Sequence, residues 1–249
     1  MRALITGASS GIGRDISKEL ARRGYDIVIV ARSEDKLNEL KNEITNVQVE
    51  VIPMDISNLD NCKELYEKVG YVDILVNNAG FGLFGKFNTT DINREMEMVD
   101  LNVKSLHFLT KLFLKDMVKK NSGYILNVAS IAGFMPGPLM ATYYSTKAYI
   151  VRLTQSIRTE LRMSHSKVKI AALCPGPVNT NFNKIADVKF AISGQSSEYV
   201  ARYTVKKMKK KRTLIFPSFF IFLYRHICKI IPDQFASYLC YFMQRRKIQ

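Results

Sequence analysis

Two residues four positions apart, Tyr143 and Lys147, carry side chains suited to proton transfer. On a helix, residues at this spacing lie on the same face, one turn apart. A phenol has a pKa of about 10, and a nearby ammonium group favours the phenolate and brings this pKa toward the neutral range. The pair therefore predicts a tyrosine that donates or accepts a proton at a reacting oxygen. The alternative is an ordinary solvated pair on a helix surface, which is common at this spacing.

A serine, Ser130, lies at the end of a predicted strand that covers residues 123–130. Open α/β sheets bind their ligands beyond the carboxyl ends of the strands. A hydroxyl at such a position can hold a substrate oxygen while its charge changes during hydride transfer. Ser130 is therefore a candidate for orienting the substrate.

Three glycines, Gly7, Gly11 and Gly13, lie between the first predicted strand and the first predicted helix. Glycine allows a tight turn and a close approach of the backbone to a pyrophosphate, and the helix N-terminus offers free N–H groups. The spacing is Gly-x-x-x-Gly-x-Gly rather than the more common Gly-x-Gly-x-x-Gly. It indicates a dinucleotide-binding loop, with a purely structural turn as the alternative.

The end of the second predicted strand indicates which dinucleotide is bound. An acidic residue there normally binds the ribose hydroxyls of NAD, whereas an arginine accommodates the 2′-phosphate of NADP. In this sequence the strand is followed by Arg32, and the first acidic residue is Glu34. This order favours NADP(H) over NAD(H). The alternative is that Arg32 is only a solvated residue at the start of the next helix.

Strand-like and helix-like segments alternate along the chain. Apolar, β-branched runs predict strands, and apolar residues at helical spacing predict helices. Ser33 is expected to cap the second helix. Short connections favour one Rossmann-type, doubly wound parallel sheet of about seven strands in an α/β fold, with helices on both faces. The predicted strands cover residues 2–6, 25–31, 47–54, 73–77, 123–130, 168–173 and 213–216, and the predicted helices cover residues 13–23, 33–45, 59–69, 91–100, 103–120 and 143–163.

Length and composition fit one domain over residues 1–249, with a core over 1–200 and a C-terminal extension over 201–249. The hydrophobic fraction of 47% and the charged fraction of 24% are typical of globular proteins. Four cysteines without CxxC spacing argue against a zinc site or a disulfide framework, and no metal is expected. The glycine loop begins too early to leave room for a signal peptide, so we expect a cytoplasmic protein.

Three sequence segments and a set of four residues, all in register, resemble those of the short-chain dehydrogenase/reductase family. Residues 6–13 resemble its TGxxxGxG loop, residues 77–80 (NNAG) its segment at the fourth strand, and residues 175–180 (PGPVNT) its PGxVxT segment. Four further residues follow the order and spacing of the family's catalytic tetrad. The resemblance covers about residues 2–200, and the tetrad positions are Asn102, Ser130, Tyr143 and Lys147.

The resemblance implies a role for each of these residues. Tyr143 would be the general acid in reduction or the base in oxidation, and Lys147 would tune Tyr143 and hold the nicotinamide ribose. Ser130 would orient the substrate carbonyl, and Asn102 would keep a water in a proton relay behind Lys147. Tyr144 also precedes the lysine, but the family spacing selects Tyr143, and Tyr144 is expected to pack or to line the pocket.

The resemblance also implies a site for NADP(H). Asp55 would contact the adenine, and Val178 and Thr180 would hold the carboxamide and the phosphates. The residues expected to bind the cofactor are Gly7, Ser9, Ser10, Gly11, Ile12, Gly13, Arg32, Asp55, Ile56, Asn78, Ala79, Gly80, Tyr143, Lys147, Pro175, Gly176, Val178 and Thr180.

The loops after the fourth, fifth and sixth strands are expected to face the substrate. Their apolar side chains indicate a hydrophobic ketone or alcohol, although each of them can instead cap the core. These residues are Phe81, Leu83, Phe84, Phe134, Met135, Leu139, Met140, Phe182 and Ile185.

The net charge of +15 is concentrated in the C-terminal fifth of the chain. Residues 201–249 hold 12 Lys or Arg and one acidic residue, which gives +11, whereas residues 1–200 hold 25 bases and 21 acids, which gives +4. The apolar runs of this region are shorter than the roughly 20 residues that span a bilayer, and Pro217 interrupts the first.

Two interpretations remain open for residues 219–246. One is a helical pair lying on an anionic membrane, on its cytoplasmic face. The other is a helical arm packed on the substrate cleft or on a partner subunit. Nucleic-acid binding is not expected, because no recognition fold accompanies the lysines.

Together these features predict an NADP(H)-dependent oxidoreductase that acts on the CH–OH or C=O group of a hydrophobic small molecule. We expect a homo-oligomer, either a dimer or a tetramer. The competing hypotheses are a catalytically silent NADP(H)-binding sensor and a membrane-surface interaction protein that uses the C-terminal region. The sensor would typically lack a tetrad residue, and this chain keeps all four.

Overall fold

A seven-stranded parallel sheet forms the centre of the protein. The computed structural model describes residues 1–180, 194–208, 210, 212–228 and 230–245. The strands are β1 (Arg2–Thr6), β2 (Asp26–Ala31), β3 (Val49–Pro53), β4 (Ile74–Asn77), β5 (Tyr124–Val128), β6 (Lys169–Leu173), β7 (Val178–Asn179), β8 (Gln195–Ser196) and β9 (Leu214–Ile215). The main sheet has the order β3-β2-β1-β4-β5-β6-β9 with parallel neighbours throughout, and β7 pairs separately with β8. The predicted doubly wound sheet is confirmed.

The strand sequences explain why the sheet is covered on both sides. Ile5 and Ile29 are buried in one layer of the core, and Leu4 and Val28 are buried in the other. Consecutive residues of a strand point to opposite faces, so a strand that is apolar at every position is stable only between two layers. The helices supply these layers.

The helices lie on both faces of the sheet. Apolar residues of α1, α2 and α7 pack on one face, and those of α3, α5 and α6 pack on the other. The bounds are α1 (Gly11–Ala21), α2 (Glu34–Glu43), α3 (Leu59–Val69), α4 (Ile92–Val99), α5 (Leu106–Lys120), α6 (Ala141–Met163), α7 (Ser197–Met208), α8 (Phe219–Ile227) and α9 (Asp233–Arg245).

The two helices predicted over residues 91–100 and 103–120 are continuous. A π-helical segment, Asp100–Ser105, joins α4 to α5. The predicted break is therefore wrong, because no proline or glycine interrupts the helical hydrogen bonding between the two parts. Such π segments occur frequently at functional sites, and Asn102 lies inside this one.

Several predicted boundaries differ from the structure by one or two residues. β5 ends at Val128, and Ser130 instead caps a 3-10 turn, Ile131–Phe134, by accepting a hydrogen bond from the backbone N–H of Ala132 at 3.1 Å. Ser33 precedes α2 as expected, but among the described residues its side chain makes no capping hydrogen bond to that helix.

The C-terminal arm, which we define as the described residues from 212 to 245, joins the sheet through β9 and then folds back over its carboxyl edge. Ile221 of α8 lies so close to Gly176 that a Cβ atom there would be 2.8 Å from the Ile221 Cδ1 atom. The Tyr224 hydroxyl contacts the sulfur of Met135. Within the described ranges, each helix is too short or too polar to cross a membrane.

Candidate active site

A cleft of about 1370 Å³ opens at the carboxyl ends of the central strands. Its wall contains all but one of the residues expected to bind a dinucleotide, and Gly13 lies directly behind them. The residues on the wall are Gly7, Ser9, Ser10, Gly11, Ile12, Arg32, Asp55, Ile56, Asn78, Ala79, Gly80, Tyr143, Lys147, Pro175, Gly176, Val178 and Thr180.

The glycine loop has a backbone that other residues rarely adopt. Gly7 has φ of +65° and Gly11 has φ of +55°, which lie in the left-handed region. A Cβ atom on Gly7 would be 2.8 Å from the Cα atom of Ala79, and one on Gly11 would be 2.8 Å from the Cγ2 atom of Thr180. The loop is therefore closely packed on the segments that follow β4 and β6.

Hydrogen bonds join the glycine loop to the NNAG segment. The Thr6 hydroxyl accepts from the backbone N–H groups of Asn78 and Ala79, at 3.0 and 3.1 Å. The Asn78 side-chain amide donates to the carbonyl oxygens of Thr6 and Gly7, both at 3.0 Å. Because each segment satisfies the other's polar groups, the two form one rigid floor for a ligand.

The N-terminus of α1 is oriented toward this floor. Ser10 precedes the helix in extended conformation and, in the part of the chain described, its side chain makes no capping hydrogen bond to the first turn. The first N–H groups of a helix and its partial positive charge favour an anion. These N–H groups, together with the space left by the missing Cβ atoms of Gly7 and Gly11, fit the pyrophosphate of a dinucleotide.

Two basic side chains stand at the end of β2. The Arg32 side chain is 74% exposed, and its Nη1 atom is 3.9 Å from the Oδ2 atom of Asp55. An exposed ion pair at this distance is weak, so the guanidinium group can turn to another anion. Lys36 lies on the same wall, four residues after Arg32. The sequence interpretation missed Lys36, although its position four residues after Arg32 could have indicated a second basic residue at this site.

The structure brings Ser130, Tyr143 and Lys147 together on the opposite wall. The Lys147 ammonium donates to the carbonyl oxygen of Val128 at 2.9 Å and lies 5.7 Å from the centre of the Tyr143 ring. Ser130 is hydrogen-bonded to Tyr143. Both Tyr143 and Lys147 are more than nine-tenths buried. A hydroxyl, a phenol and a cation therefore converge at the carboxyl end of β5.

Burial is the main cause of the pKa shifts of Tyr143 and Lys147. It raises the pKa of Tyr143 to about 12, while the hydrogen bond with Ser130 opposes the rise. It also lowers the pKa of Lys147 to about 8. The expectation that the ammonium brings the phenol pKa toward neutrality is thus wrong, because both charged forms lose hydration in the same apolar pocket. Near pH 7 the phenol is protonated.

Asn102 lies behind the cleft wall and is fully buried. Its side-chain amide donates to the carbonyl oxygen of Phe81 at 2.9 Å and to the Thr146 hydroxyl at 3.2 Å, and its Oδ1 atom accepts from the Phe81 N–H at 3.1 Å. A Cβ atom on Gly80 would lie 2.6 Å from Asn102 Oδ1. Asn102 thereby holds the NNAG segment against α6.

A buried carboxylate, Glu95, fixes the start of α6. It accepts hydrogen bonds from the hydroxyls of Thr90 and Thr142, the second at 2.7 Å. Thr142 immediately precedes Tyr143, so this contact orients the first turn of the helix. The sequence interpretation missed Glu95, whose position three residues before the buried Met98 placed an acid on the apolar face of α4.

The predicted substrate loops contribute less to the cleft than expected. Phe81 and Met140 line it. Phe182 and Ile185 lie outside the described residues. The remaining five fill space beside the cleft or behind it, because the loops fold back onto the core; these are Leu83, Phe84, Phe134, Met135 and Leu139.

The C-terminal arm forms the wall that these loops were expected to form. Tyr144 is the contact point on α6, and its hydroxyl accepts from the Gln244 side-chain amide at 2.6 Å and contacts Cys240 at 3.8 Å. Burial raises the pKa of Tyr144 above its usual range. No local pattern in the sequence indicated this contact, which joins residues 100 positions apart. The arm residues on the wall are Ser218, Phe220, Ile221, Tyr224, Cys240, Met243 and Gln244.

We expect Gln244→Ala to lower the free energy of unfolding by about 1 kcal/mol, because it leaves the partly buried Tyr144 hydroxyl without this donor. Chemical denaturation followed by circular dichroism measures the change. Gln155→Ala is the matched control, since the Gln155 side chain accepts an exposed hydrogen bond from Arg152 on α6. Equal effects of the two substitutions would contradict a structural role for the Gln244–Tyr144 contact.

The sheet order, the glycine loop and the cleft define a dinucleotide-binding α/β protein. The short chain dehydrogenase family matches residues 1–188. The chain belongs to this family and is an oxidoreductase of that class.

Relatives and solved structures agree with this assignment. An uncharacterized oxidoreductase of Staphylococcus epidermidis is 37% identical over 189 residues, which are 74% of this chain and 81% of the relative. An uncharacterized oxidoreductase of Staphylococcus aureus is 33% identical over 182 residues, 72% of this chain and 78% of the relative.

Two solved structures at 25% identity have the same fold, both with a TM-score of 0.81. A short-chain dehydrogenase from Sphingobium yanoikuyae in complex with NADPH covers 93% of this chain and 96% of its own. A short chain dehydrogenase/reductase from Burkholderia phymatum in complex with NAD covers 90% and 91%.

Proposed function

We propose that this protein transfers a hydride between NADP(H) and the carbonyl or secondary alcohol carbon of a hydrophobic small molecule. The observation that carries the proposal is the convergence of Ser130, Tyr143 and Lys147 on a cleft whose other wall is the glycine loop. A cofactor site and a proton donor on one cleft are what carbonyl reduction requires.

Tyr143 is the proposed general acid in reduction. Burial keeps its phenol protonated near pH 7, which is the form that donates a proton to a developing alkoxide. Ser130 holds the substrate oxygen beside the phenol, and Lys147 provides the positive charge that stabilises the phenolate after transfer. Asn102 positions the loop next to Lys147, and its water-holding role in a proton relay remains part of the proposal.

NADP(H), when bound, supplies or accepts the hydride. The glycine loop and the N-terminus of α1 would hold its pyrophosphate, and Asp55, Val178 and Thr180 would hold the adenine, the carboxamide and the phosphates. The structural neighbours bind NADPH in one case and NAD in another, so they support a dinucleotide without choosing between the two. Arg32 and Lys36 favour NADP(H), because two cations match a 2′-phosphate.

The substrate class follows from the wall opposite the glycine loop. Its side chains are mainly apolar, and they come from the segment before α6 and from the C-terminal arm: Met140, Phe220, Ile221, Tyr224 and Met243. Such a lining binds a hydrophobic ketone or secondary alcohol better than a polar one. A silent dinucleotide sensor is less well supported, since nothing in it would require the hydroxyl, phenol and ammonium to converge.

The proposal also includes a cytoplasmic, homo-oligomeric enzyme with one cooperative domain. The four cysteines are free thiols, which fits a reducing compartment. Light scattering would give the oligomeric state, and one denaturation transition seen by both circular dichroism and NADPH binding would support a single domain.

The direct test is a screen of ketones, aldehydes and secondary alcohols, followed through the absorbance of NADPH. We expect turnover to increase with the apolar surface of the substrate. Absence of turnover across the panel, in protein that binds NADPH, would favour the sensor hypothesis instead.

We expect Arg32→Ala to weaken NADPH binding about tenfold and to leave NADH binding nearly unchanged, because only NADPH carries the phosphate. Lys36→Ala should act in the same direction. Lys41→Ala is the matched control, because this exposed lysine lies on α2 outside the cleft wall. Fluorescence titration gives the two affinities, and equal losses for NADPH and NADH would contradict the NADP(H) preference.

A further inference from the structure

The outer surface of α8 is apolar over its whole length. Among its nine residues none is fully buried, and Phe220 is 80% exposed. A surface helix of a globular protein normally presents charged or polar groups to water. The large apolar side chains of α8 that face solvent are Phe219, Phe220, Phe222, Leu223 and Ile227.

The following helix, α9, is amphipathic, but its outer face is apolar as well. Its inner face is formed by Ala236, Cys240 and Gln244, which are buried at a spacing of four residues. The rest of the helix carries a second exposed apolar group, which consists of Phe235, Tyr238, Leu239, Phe242 and Met243. We call the two exposed groups together the arm face.

Basic residues precede and follow the two helices of the arm face in the sequence. Residues 201–249 carry a net charge of +11, with a single acidic side chain, Asp233. Of the described basic residues, Lys210 and Arg212 precede α8, and Arg245 ends α9; all three are exposed. Within the described part of the chain, none of them forms a salt bridge. The C-terminal segment that contains the arm face therefore attracts anions.

We propose that the arm face docks on the surface of an anionic lipid bilayer. Apolar side chains on two short helices, in a segment with a net charge of +11, are the combination that binds the boundary between headgroups and acyl chains. Helices of 9 and 13 residues lie on such a surface and do not cross it. A second copy of the chain is a poorer occupant, because symmetry would bring two regions of like charge together.

Docking would place the mouth of the cleft at the membrane. Phe220 and Met243 belong to the arm face and also line the cleft, so the two are continuous. A lipophilic substrate could then enter from the bilayer without crossing water, a consequence that depends on the proposed function. The docking itself is independent of that function and can be tested without a substrate.

The test is flotation of the full-length protein with vesicles of phosphatidylcholine containing phosphatidylglycerol. We expect the protein to float with these vesicles, and to float less with phosphatidylcholine alone or at high salt. Phe219→Ser/Phe242→Ser should lower the bound-to-free ratio about 30-fold or more, because it removes two large apolar groups outside the cleft wall. The matched control, Ile92→Ser/Met163→Ser, changes two similarly exposed side chains of α4 and α6, outside the arm, and should float like the parent.

NADPH binding and circular dichroism show whether each variant is folded. If the double variant loses structure, Phe235→Glu is the second probe, since it adds one like charge against the lipid and should also reduce flotation. A parent protein that stays at the bottom of the gradient overturns the proposal, as does a folded Phe219→Ser/Phe242→Ser variant that floats equally well. A parent that does not float but becomes smaller in light scattering when the two phenylalanines are replaced would show an interface between copies, which also overturns it.

Discussion

Replacing Tyr143 by Phe is expected to lower kcat/KM for carbonyl reduction about 1,000-fold, with NADPH affinity changed less than about twofold. The substitution removes only the hydroxyl, so the ring keeps its place on α6 while the proton donor is lost. Steady-state kinetics with the best substrate of the screen and a fluorescence titration of NADPH measure the two effects.

Tyr144→Phe is the comparison that decides between the adjacent tyrosines. Its hydroxyl bonds Gln244 on the arm, so we expect a loss of stability and a fall in kcat/KM of less than about tenfold. The opposite ranking of the two variants would show that the proton donor has been assigned to the wrong tyrosine. Similar rates for Tyr143→Phe and the parent would contradict the mechanism.

Replacing Gly13 by Ala is expected to weaken dinucleotide binding about 100-fold and to lower the free energy of unfolding by about 2 kcal/mol. A Cβ atom at this position would lie 2.3 Å from the Asn78 amide nitrogen and 2.6 Å from the carbonyl oxygen of Gly7. The Asn78 amide can move away only if it loses its hydrogen bonds to the carbonyl oxygens of Thr6 and Gly7. The Gly7 carbonyl is part of the glycine loop, so it can move only if the loop changes conformation. Alanine normally stabilises a helix by about 1 kcal/mol relative to glycine. The predicted loss therefore requires that the steric clash at Gly13 costs more than this gain in helix propensity.

Gly24→Ala separates packing from backbone strain. Gly24 has φ of +80°, but among the described residues other than its chain neighbours no atom lies within 4 Å of a Cβ placed there. We expect a loss of about 1 kcal/mol in stability from the left-handed backbone and no change in dinucleotide affinity. Isothermal titration with NADPH and chemical denaturation test both variants. If Gly13→Ala binds the dinucleotide as well as Gly24→Ala does, the glycine loop and the NNAG segment do not form the rigid floor inferred from their contacts.

The parallel sheet was predictable because its evidence is local. Residues 27–31 are apolar at consecutive positions, and this pattern by itself requires burial on both faces. The glycine loop was predictable for a similar reason, since the left-handed conformations of Gly7 and Gly11 depend on the turn they form. The continuity of α4 and α5 was missed because the sequence around Asn102 has no residue that signals a π-helical segment, whose register depends on packing.

The wall of the cleft was less predictable, because it depends on contacts between distant parts of the chain. The loop residue Phe134 was expected to meet substrate, but it packs on Phe216 near the start of the arm. Residues of α8 and α9 line the cleft instead. Apolar composition alone does not distinguish a side chain that fills the core from one that lines a cavity.

The sequence by itself determined the order of strands and helices, the glycine loop, and the spacing that places Tyr143 and Lys147 on one face of a helix. These features follow from backbone geometry and from the period of apolar residues, which act over a few positions. Only the tertiary structure decided that both side chains are buried, with the pKa of Tyr143 raised and that of Lys147 lowered. It also decided that the C-terminal arm covers the cleft, because the contact of Tyr144 with Gln244 forms only when the whole chain is packed.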